Sequence, residues 1–210
     1  MKNYFRIKKS AFTLAEVLIT LGIIGVVAAL TIPTLISNHQ KNVAETRLKK
    51  FASVWRQAAI NVYHDKGTWS FTEPNSSYTS ATELAYYNDS FGKYIKTLDV
   101  IEEEPGIFAA MPDGSGFFLY NTGTYLIFCP DYKYCKNNFN FSRASGLPAE
   151  WIVDGKNTFA FYGSRGNTPT YEWDGSRDWL KRQCTSGRKG YCSTLIEFDG
   201  WEISDDYPAW

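Results

Sequence analysis

Glu16 is the one charged residue in an otherwise apolar run from Ala11 to about Ile36. An ionised carboxylate at the centre of a membrane helix costs on the order of 2.5–3.5 kcal/mol on insertion scales, so a charge kept there points to a function and a partner. The four cysteines are a second chemically capable set, Cys129/Cys135 in CPDYKYC and Cys184/Cys192 in CTSGRKGYC. An even number in close pairs indicates two disulfides formed in an oxidising compartment. Three connectivities exist, and the spacing favours Cys129–Cys135 with Cys184–Cys192. Zinc is the rival chemistry, but these spacings lie outside C-x₂₋₄-C and no histidine is near. Carboxylates cluster as Glu102-Glu103-Glu104 and Asp205-Asp206. Acids adjacent in a run point to solvated surface, whereas glycoside hydrolysis needs two facing across a cleft. Both histidines, His39 and His64, precede residue 67, so the rest of the chain holds no Ser-His or Cys-His nucleophile arrangement.

The elements that position these residues fall in three zones. Residues 1–11 carry Lys2, Arg6, Lys8 and Lys9 and no acid. A basic leader before an apolar run fits a secretory signal, but an h-region spans only about 7–15 residues and no small-x-small cleavage site follows. The run is long enough to cross a bilayer. The leader charges place the N-terminus in the cytoplasm, although the basic segment after Asn38 pulls the other way. Residues 38–66 hold Lys41, Arg47, Lys49, Lys50, Arg56 and Lys66 against Glu45 and Asp65. That leaves twelve basic and nineteen acidic residues from 67 onward, a net of −7. An acidic outer domain argues against a general nucleic-acid role, and the short patch Lys181-Arg182 with Arg188-Lys189 is expected to be a solvated loop.

Ala44, Leu48, Phe51, Trp55, Ala59 and Val62 recur at three- or four-residue steps, the pattern of an amphipathic helix over about Asn38–Lys66. Gly67 is the expected C′ residue. Pro33, which should kink the helix without ending it, is the one breaker before that point. A single helix from about Leu14 to Asp65 would be some 75–80 Å long at 1.5 Å per residue. Gly22 and Gly25 are three apart, so they form no G-x-x-x-G pair. From Gly67 on there is no comparable helix. Short runs at 106–111, 116–121, 124–129 and 157–163 are expected strands, with turns at PDGSG and NTG. Residues 68–90 have loop composition. Trp201, Tyr207 and Trp210 are expected to plug the core at the chain end.

The basic leader, the small Ala11 and FTLAEVLITLGIIGVVAALTIPTL resemble the class III signal of type IV pilins and type II secretion pseudopilins. The match covers Lys8 to about Ser37; Ala11 stands where glycine is commoner. The resemblance implies cleavage by a prepilin peptidase between Ala11 and Phe12, then N-methylation of Phe12. It also implies that Glu16 of one subunit compensates the Phe12 ammonium of its neighbour, setting the register of a filament, and that Pro33 lets the helix bend during assembly. Some pseudopilins bind calcium near their carboxy-terminal loops. Asp199, Asp205 and Asp206 are weak candidates for that, without a D-x-[DN]-x-[DN]-G loop; no other cofactor is expected.

The expected fold is α+β: a long N-terminal transmembrane-to-soluble helix packed on a small antiparallel β-meander. Its divisions are a leader (1–11), a membrane or filament-core half-helix (12–36), an amphipathic half-helix (37–66) and a β-rich head (67–210). The expected role is a non-enzymatic subunit of a type II secretion pseudopilus or type IV pilus. It would sit in the plasma membrane with its N-terminus cytoplasmic and its head outside. Expected partners are the prepilin peptidase, other subunits met through the N-terminal helix, an inner-membrane assembly platform and lipid before assembly. The alternatives are a minor tip pilin whose head binds a surface, a secreted substrate or DNA, and a simple anchored protein with an enzyme or lectin head.

Overall fold

The computed structural model describes residues 12–67, 79–121, 123–144, 147–149, 152–162, 170–171 and 175–210. Contacts divide the chain into two compact units at Gln40/Lys41. Helix α1, Leu14–Lys66, supplies the described part of the first unit and the start of the second.

In the first unit α1 is apolar on every side. Leu18, Ile24 and Leu30 are 62%, 62% and 74% exposed, and the segment is long and apolar enough to cross a membrane. A helix hydrophobic all round needs apolar surroundings. Within the apolar stretch Thr20 and Thr31 donate their hydroxyls to the carbonyls of Val17 and Val27, each at 3.0 Å. Backbone carbonyls thus take up hydroxyls that have no water to meet in lipid. Pro33 lies within α1, and the helix continues past it.

In the second unit α1 buries Ala44, Leu48, Phe51, Ala52, Trp55, Ala58, Ala59 and Val62, the expected stripe widened by Ala52 and Ala58. Lys66 is the last helical residue; Gly67, at φ +72°, donates its N–H to Tyr63. Next come α2 (Ser80–Ser90), β1 (Asp99–Glu103), β2 (Gly106–Ala110), β3 (Gly116–Tyr120), β4 (Tyr125–Cys129) and α3 (Tyr132–Asn138). A short 3₁₀ turn (Phe141–Ala144), β5 (Phe159–Tyr162), α4 (Arg177–Thr185) and α5 (Tyr191–Phe198) complete the order. The strands form one antiparallel sheet, β1-β2-β3-β4-β5, each pairing with the next. The fold is therefore α+β, a long helix followed by an antiparallel meander.

Register explains why the strand runs are continuously apolar. Ile107, Leu119, Leu126 and Phe161 are partnered across the sheet on the face that packs with α1. There Phe51 stacks on Phe128 at 4.4 Å, and Trp55 stacks on Phe91 at 4.4 Å. Phe108, Phe118, Ile127 and Ala160 are partnered on the opposite face, in a second core with Phe141, Ile152, Val153 and Tyr171. Both faces are covered, so alternation disappears. The outward carbonyl of Ala160 on β5 accepts from Ser193 of α5 at 2.7 Å, which satisfies part of a sheet edge.

Three expectations change. Residues 80–90 form α2 instead of connecting loop; Thr79 caps it in a reciprocal box with Thr82. A Thr at the third position stands in for the usual Glu/Gln, which is why the box was not legible. Residues 68–78 lie outside the described residues. Residues 99–103 form β1, an edge strand whose three acids interrupt the apolar run that marks the other strands. Lys181 and Arg182 lie on helix α4, not on a loop, and Lys181 pairs with Asp206 at 2.9 Å.

Candidate processing and assembly site

The start of α1 is built from Phe12, Thr13 and Glu16. Phe12 and Thr13 precede the helix, and Phe12 is 86% exposed. The Thr13 N–H and hydroxyl both donate to Oε2 of Glu16, at 2.8 and 2.9 Å; the Glu16 N–H donates to Oγ1 of Thr13 at 3.2 Å. This is a capping box, two side chains serving each other's backbone N–H groups at a helix start. Glu16 sits in the first turn, where the helix dipole favours an anion. Because both Thr13 bonds fall on Oε2, the carboxylate retains acceptor capacity for an incoming cation. The T-x-x-E signature before an apolar run is the sequence signal of this box. Ala11, on the other side of the expected scissile bond, lies outside the described residues. Pro33 belongs to the same unit of the chain, farther along α1.

The cysteines are brought together as two local pairs. The sulfurs of Cys129 and Cys135 are 2.25 Å apart and those of Cys184 and Cys192 are 2.00 Å apart, all four residues being buried. The first pair joins the end of β4 to α3, and Arg47 of α1 donates beside it to the carbonyls of Pro130 and Asp113. The second joins α4 to α5 against the Asp154–Thr158 turn: a Cβ on Gly155, at φ +75°, would stand 2.7 Å from the Cys192 sulfur. Burial alone would raise the Asp154 carboxyl. The N–H groups of Lys156, Asn157 and Thr158 and the Asn157 amide outweigh it and hold the group below its ordinary value. Tyr207 donates to the Gly155 carbonyl at 2.6 Å, and Trp201 and Trp210 pack on the main core, so the aromatic tail is a plug.

Of the calcium candidates, Asp199 and Asp206 share Arg177 and Ser204 as partners, and Asp205 does not. Arg177 lies between two of them, reaching Asp199 at 2.7 Å and Asp206 at 2.8 Å. Arg177, with Ser204 and Lys181, drives the Asp206 carboxyl far below the usual range. Asp205 faces Lys41 instead, at 3.4 Å. Among the described residues no group of three or more His, Cys, Asp or Glu is arranged to hold a metal. Glu102, Glu103 and Glu104 are exposed, and the Ser80 hydroxyl ties Glu102 to Glu104. His39 and His64 are exposed on α1.

Two family models match. Residues 6–32 match the prokaryotic N-terminal methylation motif, and residues 34–210 match the model described as a family of unknown function (DUF6613). No curated protein and no solved structure matches the chain. The motif makes this a type IV pilin- or pseudopilin-like protein, with a helix that fits a membrane anchor.

Proposed function

From a chain that belongs over residues 34–210 to the family of unknown function DUF6613, and carries the methylation motif ahead of it, we propose a filament subunit with a dedicated head. A prepilin peptidase cuts after Ala11 and the new Phe12 amine is methylated. The subunit then leaves the plasma membrane, where its N-terminus faced the cytoplasm and its head lay outside, through an inner-membrane assembly platform. In the growing pseudopilus or pilus, Glu16 meets the Phe12 ammonium of a neighbouring copy. Two charges that are each costly among apolar helices are compensated as a pair, and a subunit at the wrong height leaves both unpaired. The head acts without catalysis; Arg177 supplies the positive charge between Asp199 and Asp206.

The observation that carries this reading is the motif at 6–32, whose part from Leu14 onward is a helix with its large apolar residues exposed. Mass spectrometry of the mature protein is expected to find N-methyl-phenylalanine at position 12; an intact Met1 in membranes that contain a prepilin peptidase would overturn it. Copy number along isolated filaments then assigns the subunit to shaft or tip.

A further inference from the structure

The sheet of the second unit differs in charge between its two ends. The β1–β2 and β3–β4 turns, at 103–106 and 121–124, hold Glu103 and Glu104 and no lysine or arginine. The other end carries the start of β1, the β2–β3 turn at 111–115 and helix α3. Lys96, Lys133 and Lys136 are exposed there, and Lys50 of α1 reaches the turn at Asp113, 2.8 Å away. With Arg47 these outnumber Asp99, Asp113 and Asp131, in a unit that is negative as a whole. Leu98, at this same end, is 69% exposed, more than any other large apolar side chain among the described residues of the unit. Tyr134 is exposed on α3.

This end is held in shape from beneath. The Cys129–Cys135 bond ties α3 to β4, and the Tyr132 N–H donates to the Gly114 carbonyl at 2.9 Å. Tyr132 stacks on Phe108 at 4.5 Å, and the Lys136 ammonium lies 5.8 Å from the Tyr132 ring centre. Arg47 joins the same end to α1 through the carbonyls of Pro130 and Asp113. Lysines beside an exposed leucine and tyrosine have the composition of a water–lipid interface. Ammonium groups meet anionic headgroups while the apolar bodies enter the layer beneath. The chain also brings lipid near: the apolar run ends at about Ile36 and Lys41 follows within about 7 Å of helix, close to the depth of a headgroup layer.

Resting on the reading that residues 12–36 span the plasma membrane before assembly, we propose that this end of the sheet is a docking surface for anionic lipid headgroups. Lys133 and Lys136 supply the charge; Leu98 and Tyr134 supply the interfacial contact. The acidic end of a second copy would match the lysines, but the exposed apolar bodies favour a lipid layer over a carboxylate surface. The contact holds the unassembled head at the bilayer and is given up as the subunit rises into the filament.

The test places the full chain in lipid nanodiscs, one or two copies per disc, of phosphatidylcholine alone or mixed with phosphatidylglycerol. Amide exchange across 132–138 is expected to be about tenfold slower in the anionic discs, the scale of two lysines at an anionic surface. Raising salt from about 0.1 M to about 1 M shortens the screening length from about 10 Å to about 3 Å and should abolish the difference. Lys133→Gln with Lys136→Gln should abolish it too, with the melt of the head unchanged. Equal exchange in the two kinds of disc, or slowing that survives both lysine replacements, overturns the proposal. Slowing that appears only with two copies in a neutral disc makes the second copy the occupant and overturns it as well. A chain that does not enter the discs instead overturns the anchor reading beneath it.

Discussion

Leu18 and Leu48 lie on the same helix, the first 62% exposed and the second fully buried. The difference marks two ways of using an apolar surface. Between Lys41 and Lys66 the chain supplies its own partner: Phe51 and Trp55 of α1 sit among Phe91, Phe117, Phe128 and Phe161 of the head. From Leu14 to Gln40 the large apolar side chains are exposed. Polar groups follow the same division. In the second unit Arg47, Asp154 and Arg177 are each held by several partners. In the first unit the one carboxylate, Glu16, is held by Thr13 among the described residues.

The largest effect should therefore fall on assembly and leave the head untouched. Glu16→Ala is expected to lower co-assembly with wild-type subunits by about a hundredfold or more, because an incoming Phe12 ammonium would be buried unpaired at several kcal/mol. Glu16→Asp should be intermediate. Glu16→Gln separates the roles, since it preserves a box and removes the charge. Phe12 methylation is quantified in the same samples, and normal incorporation of cleaved Glu16→Ala would show that Glu16 sets no register.

Next in size is the head core. Trp55→Ala should cost about 3–5 kcal/mol in the melt of the full chain in detergent, followed by near-ultraviolet circular dichroism, whereas Leu18→Ala should leave that melt unchanged. Equal effects would erase the division between the two parts of α1. Replacing Cys184 and Cys192 together by serine should cost roughly 2–3 kcal/mol for so short a loop, with non-reducing peptide maps of the parent showing only the two local pairs.

The smallest effect is pH dependence confined to the head. The Asp154 carboxyl is held below its ordinary value of 3.8, so its contribution is present above about pH 4 and is lost as the pH falls through the lowered folded value. Asp65 moves the same way, to about 2, through Lys93 first and then Tyr94. Melts between pH 2 and 6 (~) should show stability falling on the acid side, and Asp154→Ala should flatten that slope. A slope of the opposite sign would mean these carboxylates are not the groups that matter.

Much of the molecule was legible before any coordinates. The 3.6-residue period of Ala44, Leu48, Phe51, Trp55, Ala59 and Val62 marked the buried stripe, and Gly67 its end. Runs of aromatic and β-branched residues marked β2 to β5, within a few residues at each end. Elements without such a signal escaped. Strand β1 is interrupted by three acids, α2 is capped by an unusual Thr–Thr box, and α3, α4 and α5 have too few turns to show a period. At the candidate site the residue types were legible, but the Thr13–Glu16 bonds were not drawn from them.

Sequence alone determined the quantities that are local along the chain: an N-terminal segment with charges of one sign, an apolar run of membrane length, a helical period, and cysteines in two close pairs. These depend on neighbours a few residues apart, where helix and strand geometry are fixed. Tertiary structure alone decided that the sheet is covered on both faces and that Arg177 meets both Asp199 and Asp206. It also brought the tail from Ile203 onto Glu45, 158 residues back along the chain. Those outcomes depend on which distant surfaces share a volume, and close packing settles that only when the whole chain competes for the same space.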